Sequence, residues 1–202
     1  LTLDMSAAGA ATFNSTVTST GLASTTSGTS NFVAGVNAGN SIQSGGNYNT
    51  VVGDEAGTAI TTGDENVFMG YAAGDAVTTG LQNTAVGANA LSACVDSSNN
   101  TAVGRASMAA TTGAENTALG VNTLNLNVGG SHSTAVGSAA LLAQNPATAT
   151  NMYNTAVGSK AGTAVTTGVH TFTAVPVFPN NTVETADIQD DAITAAKIAD
   201  NA

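Results

Sequence analysis

The chain has 202 residues and a net charge of −10, with 3 Lys+Arg against 13 Asp+Glu, and only 8% of its residues are charged. So few cations argue against nucleic-acid binding, which needs Lys and Arg opposite the phosphates, and an anionic membrane surface would repel the chain. No run of 18 apolar residues is present, so no membrane-inserted helix is predicted. Because the chain begins with Leu1 and ends within a pattern, we expect it to be part of a longer protein.

Residues 1–30 precede the repeats and have a composition of their own. Leu1, Leu3 and Met5 alternate with polar residues, and Ser, Thr and Gly dominate from Ser15 to Ser30. Alternation of this kind is typical of strands. We therefore predict a β-rich N-terminal shaft segment, shared among several chains.

Residues 31–170 are organised around the phrase Asn-Thr-Ala-Val-Gly, which recurs every 16 to 21 residues. Eight copies at a short, nearly fixed period predict a solenoid, in which one small unit is stacked on the next. Intact copies lie at Asn83–Gly87, Asn100–Gly104 and Asn154–Gly158, and looser copies at Asn31–Gly35, Asn49–Gly53, Asn66–Gly70, Asn116–Gly120 and Ser133–Gly137.

Each copy starts one coil, and positions are counted from its first residue as position 0. Positions 2 and 3 are apolar in all eight coils, and Gly follows at position 4. Thr and Val before a Gly are typical of a strand, whose successive side chains point to opposite faces. We expect position 3, as at Val103, to fill the interior. Position 2, mostly Ala, would then face outward and allow solenoids to associate side by side.

The rest of each coil predicts a second short strand and a turn. Positions 7 and 8 carry small residues and Leu, Met or Gly, which suits a strand over a thin core. Thr-Thr-Gly turns follow at Thr61–Gly63, Thr78–Gly80, Thr111–Gly113 and Thr166–Gly168, and we expect Gly to supply a positive φ there. The predicted fold class is all-β, a narrow parallel β-roll or β-solenoid of about eight short coils.

The segment Asn83–Leu91 and its repeats resemble the YadA-like head (Hep/Hag) repeats of trimeric autotransporter adhesins. They are more similar still to the longer-coiled form found in bacteriophage tail fibres. The resemblance covers residues 31–170. It implies a left-handed roll wound as a homotrimer; neither the handedness nor the number three comes from the repeat spacing.

The residue just before each coil start, position −1, is polar throughout, and we predict that these residues form an outward surface column. His132 and His170 both occupy this position, about 10 Å apart in one chain, which is too far to share a metal ion. No metal site and no cofactor is predicted. The predicted column comprises Tyr48, Glu65, Gln82, Asn99, Glu115, His132 and His170, and Tyr153 occupies the same place.

The seventh coil, Ser133–Tyr153, carries about four extra residues between Gln144 and Asn151. Solenoids accept insertions as loops, often on the binding face. The alternative is a tolerated surface loop without a ligand. The candidate receptor contacts are Gln144, Asn145, Thr148, Asn151 and Tyr153.

Two further features of the sequence are candidates for catalytic groups. The acidic cluster at residues 54–55, 64–65 and 75 could in principle cleave glycosidic bonds, but no feature of the sequence predicts a raised pKa among these acids, and a solvated acidic edge is the preferred interpretation. Cys94 is interpreted as a small residue in the loop of the fourth coil rather than a nucleophile. We therefore expect no enzymatic activity.

The pattern changes after the roll. Residues 171–184 bring Phe and Pro together, and we predict a cap or neck there, with Phe172 and Phe178 covering the end of the stack. From Thr185 a ten-residue repeat begins, Ala186–Asp190 and Ala196–Asp200. Residues 185–202 are predicted to start a repetitive stalk, either β-structured or a coiled coil.

The resemblance and the repeats together predict a structural fibre protein of a bacteriophage virion. Its partners would be two further copies of itself, other virion proteins, and a glycan or outer-membrane receptor of the bacterial host, bound through many weak contacts. One alternative is the head of a bacterial trimeric autotransporter adhesin at the cell surface. The other alternative is a glycan-cleaving tailspike.

Overall fold

The structure, a computed structural model, describes residues 26–146, 150–163 and 165. The chain divides into two units, Leu1–Gly168 and Val169–Ala202, and every described residue belongs to the first. The predictions for the shaft, the cap and the stalk lie outside the described residues. Within them the fold is all-β, without a helix. The strands are β1 (Phe32–Ala34), β2 (Thr50–Val52), β3 (Val67–Met69), β4 (Thr84–Val86), β5 (Thr101–Val103), β6 (Thr117–Leu119), β7 (Gly130–Ser131), β8 (Thr134–Val136), β9 (Thr150–Asn151) and β10 (Thr155–Val157).

The predicted parallel β-solenoid is confirmed. Eight strands, one per coil, form a single parallel sheet in the order β1-β2-β3-β4-β5-β6-β8-β10, with seven full turns between its first and last strand. The register joins equal positions of successive coils, so that Ala85 pairs with Ala102 and Val86 with Val103. A separate two-stranded parallel sheet joins β7, at the end of the sixth coil, to β9, at the end of the insertion in the seventh coil, and pairs Gly130 with Thr150.

The prediction that position 3 fills the interior is wrong. Position 2 is the buried one: Val51, Phe68 and Ala102 have no exposed surface. Position 3 points outward, where Met69 is 45% and Val157 is 71% exposed. The reason is that residues two apart on a strand share a face. The Asn at position 0 is buried, so position 2 is buried with it.

The predicted second strand is not present in the described coils. Positions 6 and 8 have left-handed backbone conformations, as at Asn89 (φ 57°) and Leu91 (φ 56°), which a strand does not accommodate. The segment is a series of turns that still bonds coil to coil. The N–H of Gly74 donates to the Ala90 carbonyl at 2.9 Å, and the N–H of Leu91 donates to the Ser107 carbonyl at 3.0 Å.

Glycine in the Thr-Thr-Gly turns has a different role from the one expected. The backbone at Gly63 and Gly80 is not in a positive-φ conformation. A side chain at Gly63 would instead place its Cβ 2.6 Å from the Gly80 carbonyl oxygen of the next coil. Close approach of successive coils therefore explains these glycines.

Three of the buried positions, 2, 8 and 11, compensate one another in size. In the third coil, Phe68 at position 2 and Val77 at position 11 are large, and Gly74 at position 8 leaves room for them. In the fourth coil the pattern is inverted, since Leu91 at position 8 lies between the smaller Ala85 and Cys94. One narrow core is thus packed in two ways along the rod.

The position of Cys94 in this core gives a first prediction. The thiol is fully buried and donates to the Ser97 carbonyl oxygen at 3.5 Å, and burial raises its pKa to about 11. Since the thiolate is the reactive form, we expect no labelling of the folded protein by iodoacetamide at pH 8, and full labelling in urea. The readout is intact-mass spectrometry. Rapid labelling of the folded chain would contradict the burial of Cys94.

Candidate functional site: the polar column and the seventh coil

A ladder of buried asparagines supports the surface side chains next to it. Asn occupies position 0 in seven of the eight coils. The backbone N–H of Asn83 donates to Asn66 Oδ1 at 2.9 Å, and Asn83 Nδ2 donates to the Ser97 carbonyl at 2.9 Å. Asn100 continues the pattern by donating its N–H to Asn83 Oδ1 at 3.0 Å. This role was not predicted from the sequence, although the recurrence of Asn at one position was its signal.

The seventh coil begins with Ser133, which is too short to continue the ladder, and Gln144 takes over its function. Gln144 Oε1 accepts a hydrogen bond from Asn154 Nδ2 at 2.8 Å. Its Nε2 donates to Ser133 Oγ at 2.9 Å and to Asn127 Oδ1 at 3.2 Å. Because Gln144 is fully buried, its assignment as a receptor contact is wrong.

A second prediction follows from this replacement. Gln144→Thr should lower the free energy of unfolding by about 1–3 kcal/mol, because it leaves buried polar groups without partners. Adding Ser133→Asn should recover much of that loss, since the fifth coil already combines Asn100 with Thr111 at the same positions. The measurement is urea denaturation followed by circular dichroism. Asn145→Ala, at an exposed neighbour, should be nearly neutral, and an equal loss there would contradict the role of Gln144.

The remaining candidates in the insertion differ in position. Asn145, Asn151 and Tyr153 are exposed, with Tyr153 71% exposed, whereas Thr148 lies outside the described residues. Asn151 Nδ2 donates to the Tyr153 hydroxyl oxygen at 3.1 Å. The end of the insertion thus places an amide and a phenol side by side at the start of the eighth coil.

The polar column is defined as the position −1 residues Tyr48, Glu65, Gln82, Asn99, Glu115, His132 and Tyr153. All but His132, which is partly buried, are exposed, and His170 lies outside the described residues. Every member has a left-handed backbone, with φ between 50° and 62°. Inter-coil bonds hold this geometry: the N–H of Gln82 donates to the Asp64 carbonyl and that of Asn99 to the Leu81 carbonyl, both at 3.0 Å.

Three pairs of neighbouring side chains in the column contact one another along the rod. Gln82 Nε2 donates to Glu65 Oε2 at 2.9 Å, and His132 Nδ1 lies 3.2 Å from Glu115 Oε2. The rings of His132 and Tyr153 stack, with centroids 5.2 Å apart and planes at 17°. The structure therefore brings the column residues together in two groups along one strip of the surface, Glu65 with Gln82 and Glu115 with His132 and Tyr153, and Asn99 lies between the groups.

One acid departs from the expectation that none has a raised pKa. Burial raises the pKa of Asp75, and the nearby charge of Glu55 adds to the effect. The Asp75 Oδ1 atom is buried and accepts no hydrogen bond among the described residues. Asp75 lies at position 9, on the turn segment that follows the core glycine, and not in the polar column.

Comparison with protein-family models, with curated proteins and with solved structures found no match. The resemblance to YadA-like head repeats therefore stays a prediction from the repeated phrase. In the described part of the chain, no helix is long and apolar enough to span a membrane. No group of three metal-binding side chains is found among the same residues.

Proposed function

We propose that the chain is a segment of a homotrimeric fibre of a bacteriophage virion, with a structural and binding role rather than a catalytic one. It acts as a rigid spacer and presents a surface to a glycan or an outer-membrane receptor of the bacterial host. The observation that carries this proposal is the outer face of the eight-stranded sheet, which is apolar at position 3 in every coil. The resemblance to fibre repeats supports the same conclusion.

The outer face of the sheet is suited to packing against further copies of the chain. None of its position 3 side chains is fully buried, and Met69, Leu119 and Val157 are 45%, 48% and 71% exposed. Contiguous exposed apolar surface marks an interface. Equal positions align on neighbouring strands, so a second copy meets one continuous apolar stripe. The stripe comprises Ala34, Val52, Met69, Val86, Val103, Leu119, Val136 and Val157.

Rigidity follows from the way the coils are joined. Backbone bonds of the sheet, the asparagine ladder and the turn bonds such as Gly57 N–H to the Ala73 carbonyl (2.9 Å) link each coil to the next at several points. Such a rod holds many weak receptor contacts at fixed spacing. Three identical rods in one fibre multiply the effective affinity without any chemical step.

A third prediction uses two adjacent residues to separate folding from association. Ala102 is fully buried at position 2, and Val103 points outward at position 3. Ala102→Asp should unfold the stack, because it buries an unpaired charge. Val103→Asp should leave the circular dichroism spectrum unchanged and weaken self-association at least tenfold. Sedimentation velocity measures the association. Unfolding by Val103→Asp with a tolerated Ala102→Asp would reverse the assigned faces.

Immunogold electron microscopy tests whether the protein lies on virions or on the bacterial envelope. An antibody against residues 31–165 is applied to the particles and cells of the culture that produces the protein. Label on fibres that project from virions is the expected result. Label confined to the bacterial envelope, with bare virions, would replace this proposal by the adhesin head, which shares the resemblance.

A further inference from the structure

The polar column differs from every other left-handed column of the roll in the residues it accepts. Position 6 has the same conformation, with φ between 49° and 59°, and there Ala72, Ala106 and Ala139 are accommodated. Position 8 contains Gly in four coils, such as Gly74, and a buried Leu or Met in the other four, such as Leu91. The polar column contains neither Gly nor Ala in any coil, and each of its residues has a side chain with a hydrogen-bonding group.

This conformation is costly for the backbone and, unlike the buried, left-handed Leu91 at position 8, the column residues gain no core packing in return. A residue other than Gly or Asn in the left-handed region costs roughly 1–2 kcal/mol, and Glu65, Gln82, Glu115, His132 and Tyr153 all adopt it. Strained residues that persist cluster at binding and active sites. Because these side chains point away from the core and are exposed or half-exposed, the strain places polar groups on the surface.

The centre of the column has free hydrogen-bonding capacity. The Asn99 side chain makes no hydrogen bond within the described residues, and its neighbours along the rod are Gln82 and Glu115. Gln82 uses one amide hydrogen on Glu65, and its carbonyl oxygen accepts no hydrogen bond from the part of the chain that the structure describes. Successive coils are about 4.8 Å apart, close to the length that one sugar ring adds to an extended glycan chain.

The electrostatics of the column decide which ligand it suits. Glu65 and Glu115 belong to it, and Asp64 adjoins it. The cations of the described residues, Arg105 and Lys160, lie at positions 5 and 6 of their coils rather than in the column. An anionic polymer would therefore be repelled, whereas the hydroxyl groups of a neutral sugar can donate to the carboxylates and bond to the amides.

We propose that the polar column binds a linear, uncharged glycan that lies along the rod, with one sugar unit per coil and its centre at Gln82, Asn99 and Glu115. This inference rests on the proposed receptor-binding function and names the site and the class of ligand. The aromatic end of the column, His132 and Tyr153 with Asn151 beside them, extends the same strip towards the eighth coil. Three columns on one fibre would raise the avidity for a surface that displays many such glycan chains.

The test measures binding of the full chain, by biolayer interferometry, to immobilised linear hexasaccharides of glucose, mannose and N-acetylglucosamine, with hexagalacturonate as the acidic comparison. Asn99→Gly removes the central side chain and suits the left-handed backbone, so binding should weaken about three- to tenfold while the melting temperature holds or rises. Asn89→Gly is the matched control, because Asn89 is also exposed and left-handed (φ 57°) but lies at position 6. Its binding should be unchanged.

Binding to at least one neutral hexasaccharide, lost in the triple variant Gln82→Gly, Asn99→Gly, Glu115→Gly and retained in Asn89→Gly, supports the inference. Absence of neutral binding, stronger binding to hexagalacturonate, or an equal loss in Asn89→Gly overturns it. Sedimentation of the same samples distinguishes failure of the glycan site from failure of the fibre proposal. A trimer that binds no neutral hexasaccharide overturns the glycan site alone, whereas a monomer overturns the fibre proposal.

Discussion

A single methyl group at Gly87 is expected to disrupt the stack. Gly87 has a φ of 131°, and a Cβ there would lie 2.7 Å from both the carbonyl carbon and the carbonyl oxygen of Gly104 in the next coil. Gly87→Ala therefore combines backbone strain with a collision between two backbones that hydrogen bonds hold on both sides. We expect the free energy of unfolding to fall by about 4 kcal/mol or more, measured by urea denaturation.

The control for this prediction is a second glycine with the same backbone and no collision. Gly158 has a φ of 128°, but among the described residues a Cβ there would meet only Ala161 Cβ, at 3.8 Å. Gly158→Ala should therefore cost only the strain, about 1–3 kcal/mol. The difference between the two variants measures how closely successive coils approach one another. Equal losses would show that coil stacking does not constrain Gly87.

The second large effect is expected from exchanging the two packing patterns of the core. Gly74→Leu alone places a Cβ 2.6 Å from the Phe68 ring and should overpack the third coil. Phe68→Ala alone leaves a cavity and should cost about 3–5 kcal/mol. The double variant reproduces the Ala85 and Leu91 arrangement of the fourth coil, so the new Leu should fill the space that Phe68 leaves.

A double-mutant cycle of the free energies of unfolding measures this compensation. The double variant should be more stable than the sum of the two single losses predicts, by about 1–3 kcal/mol. Gly39→Leu with Phe68→Ala is the control, since Gly39 lies two coils away and contacts Ile42 and Val33 instead. The losses in free energy of unfolding from Gly39→Leu and Phe68→Ala should add. Additive losses for Gly74 and Phe68 as well would contradict a shared core space.

The repeated phrase was enough to predict the solenoid, because its period and its Thr-Ala-Val-Gly ending are local properties of the sequence. Which face of each strand points to the interior was not predictable in the same way. Positions 2 and 3 are both apolar, so hydrophobicity alone does not distinguish the interior from the outer face. The buried Asn66 and Asn83 at position 0 decide the parity, but an Asn ordinarily indicates a turn or a surface.

Part of the candidate site was predictable from the sequence and part was not. The polar column was predictable, since Gln82 and Asn99 occupy the same place in successive coils. Gln144 was not, because an insertion with a polar residue is typical of a surface loop. Its buried role depends on Ser133, eleven residues earlier, lacking the amide that other coils supply. Only the three-dimensional neighbourhood shows that one residue replaces the other.

The central claim is that the outer sheet face is covered by two further copies of the chain. Sedimentation equilibrium of the full chain tests it most directly, with Val103→Asp as the comparison. We predict three times the mass of one chain, unchanged on dilution to low concentration, and a smaller species for the variant. A wild-type monomer with the circular dichroism spectrum of an intact β-roll would contradict the claim, because the apolar stripe would then be stable in water without a partner.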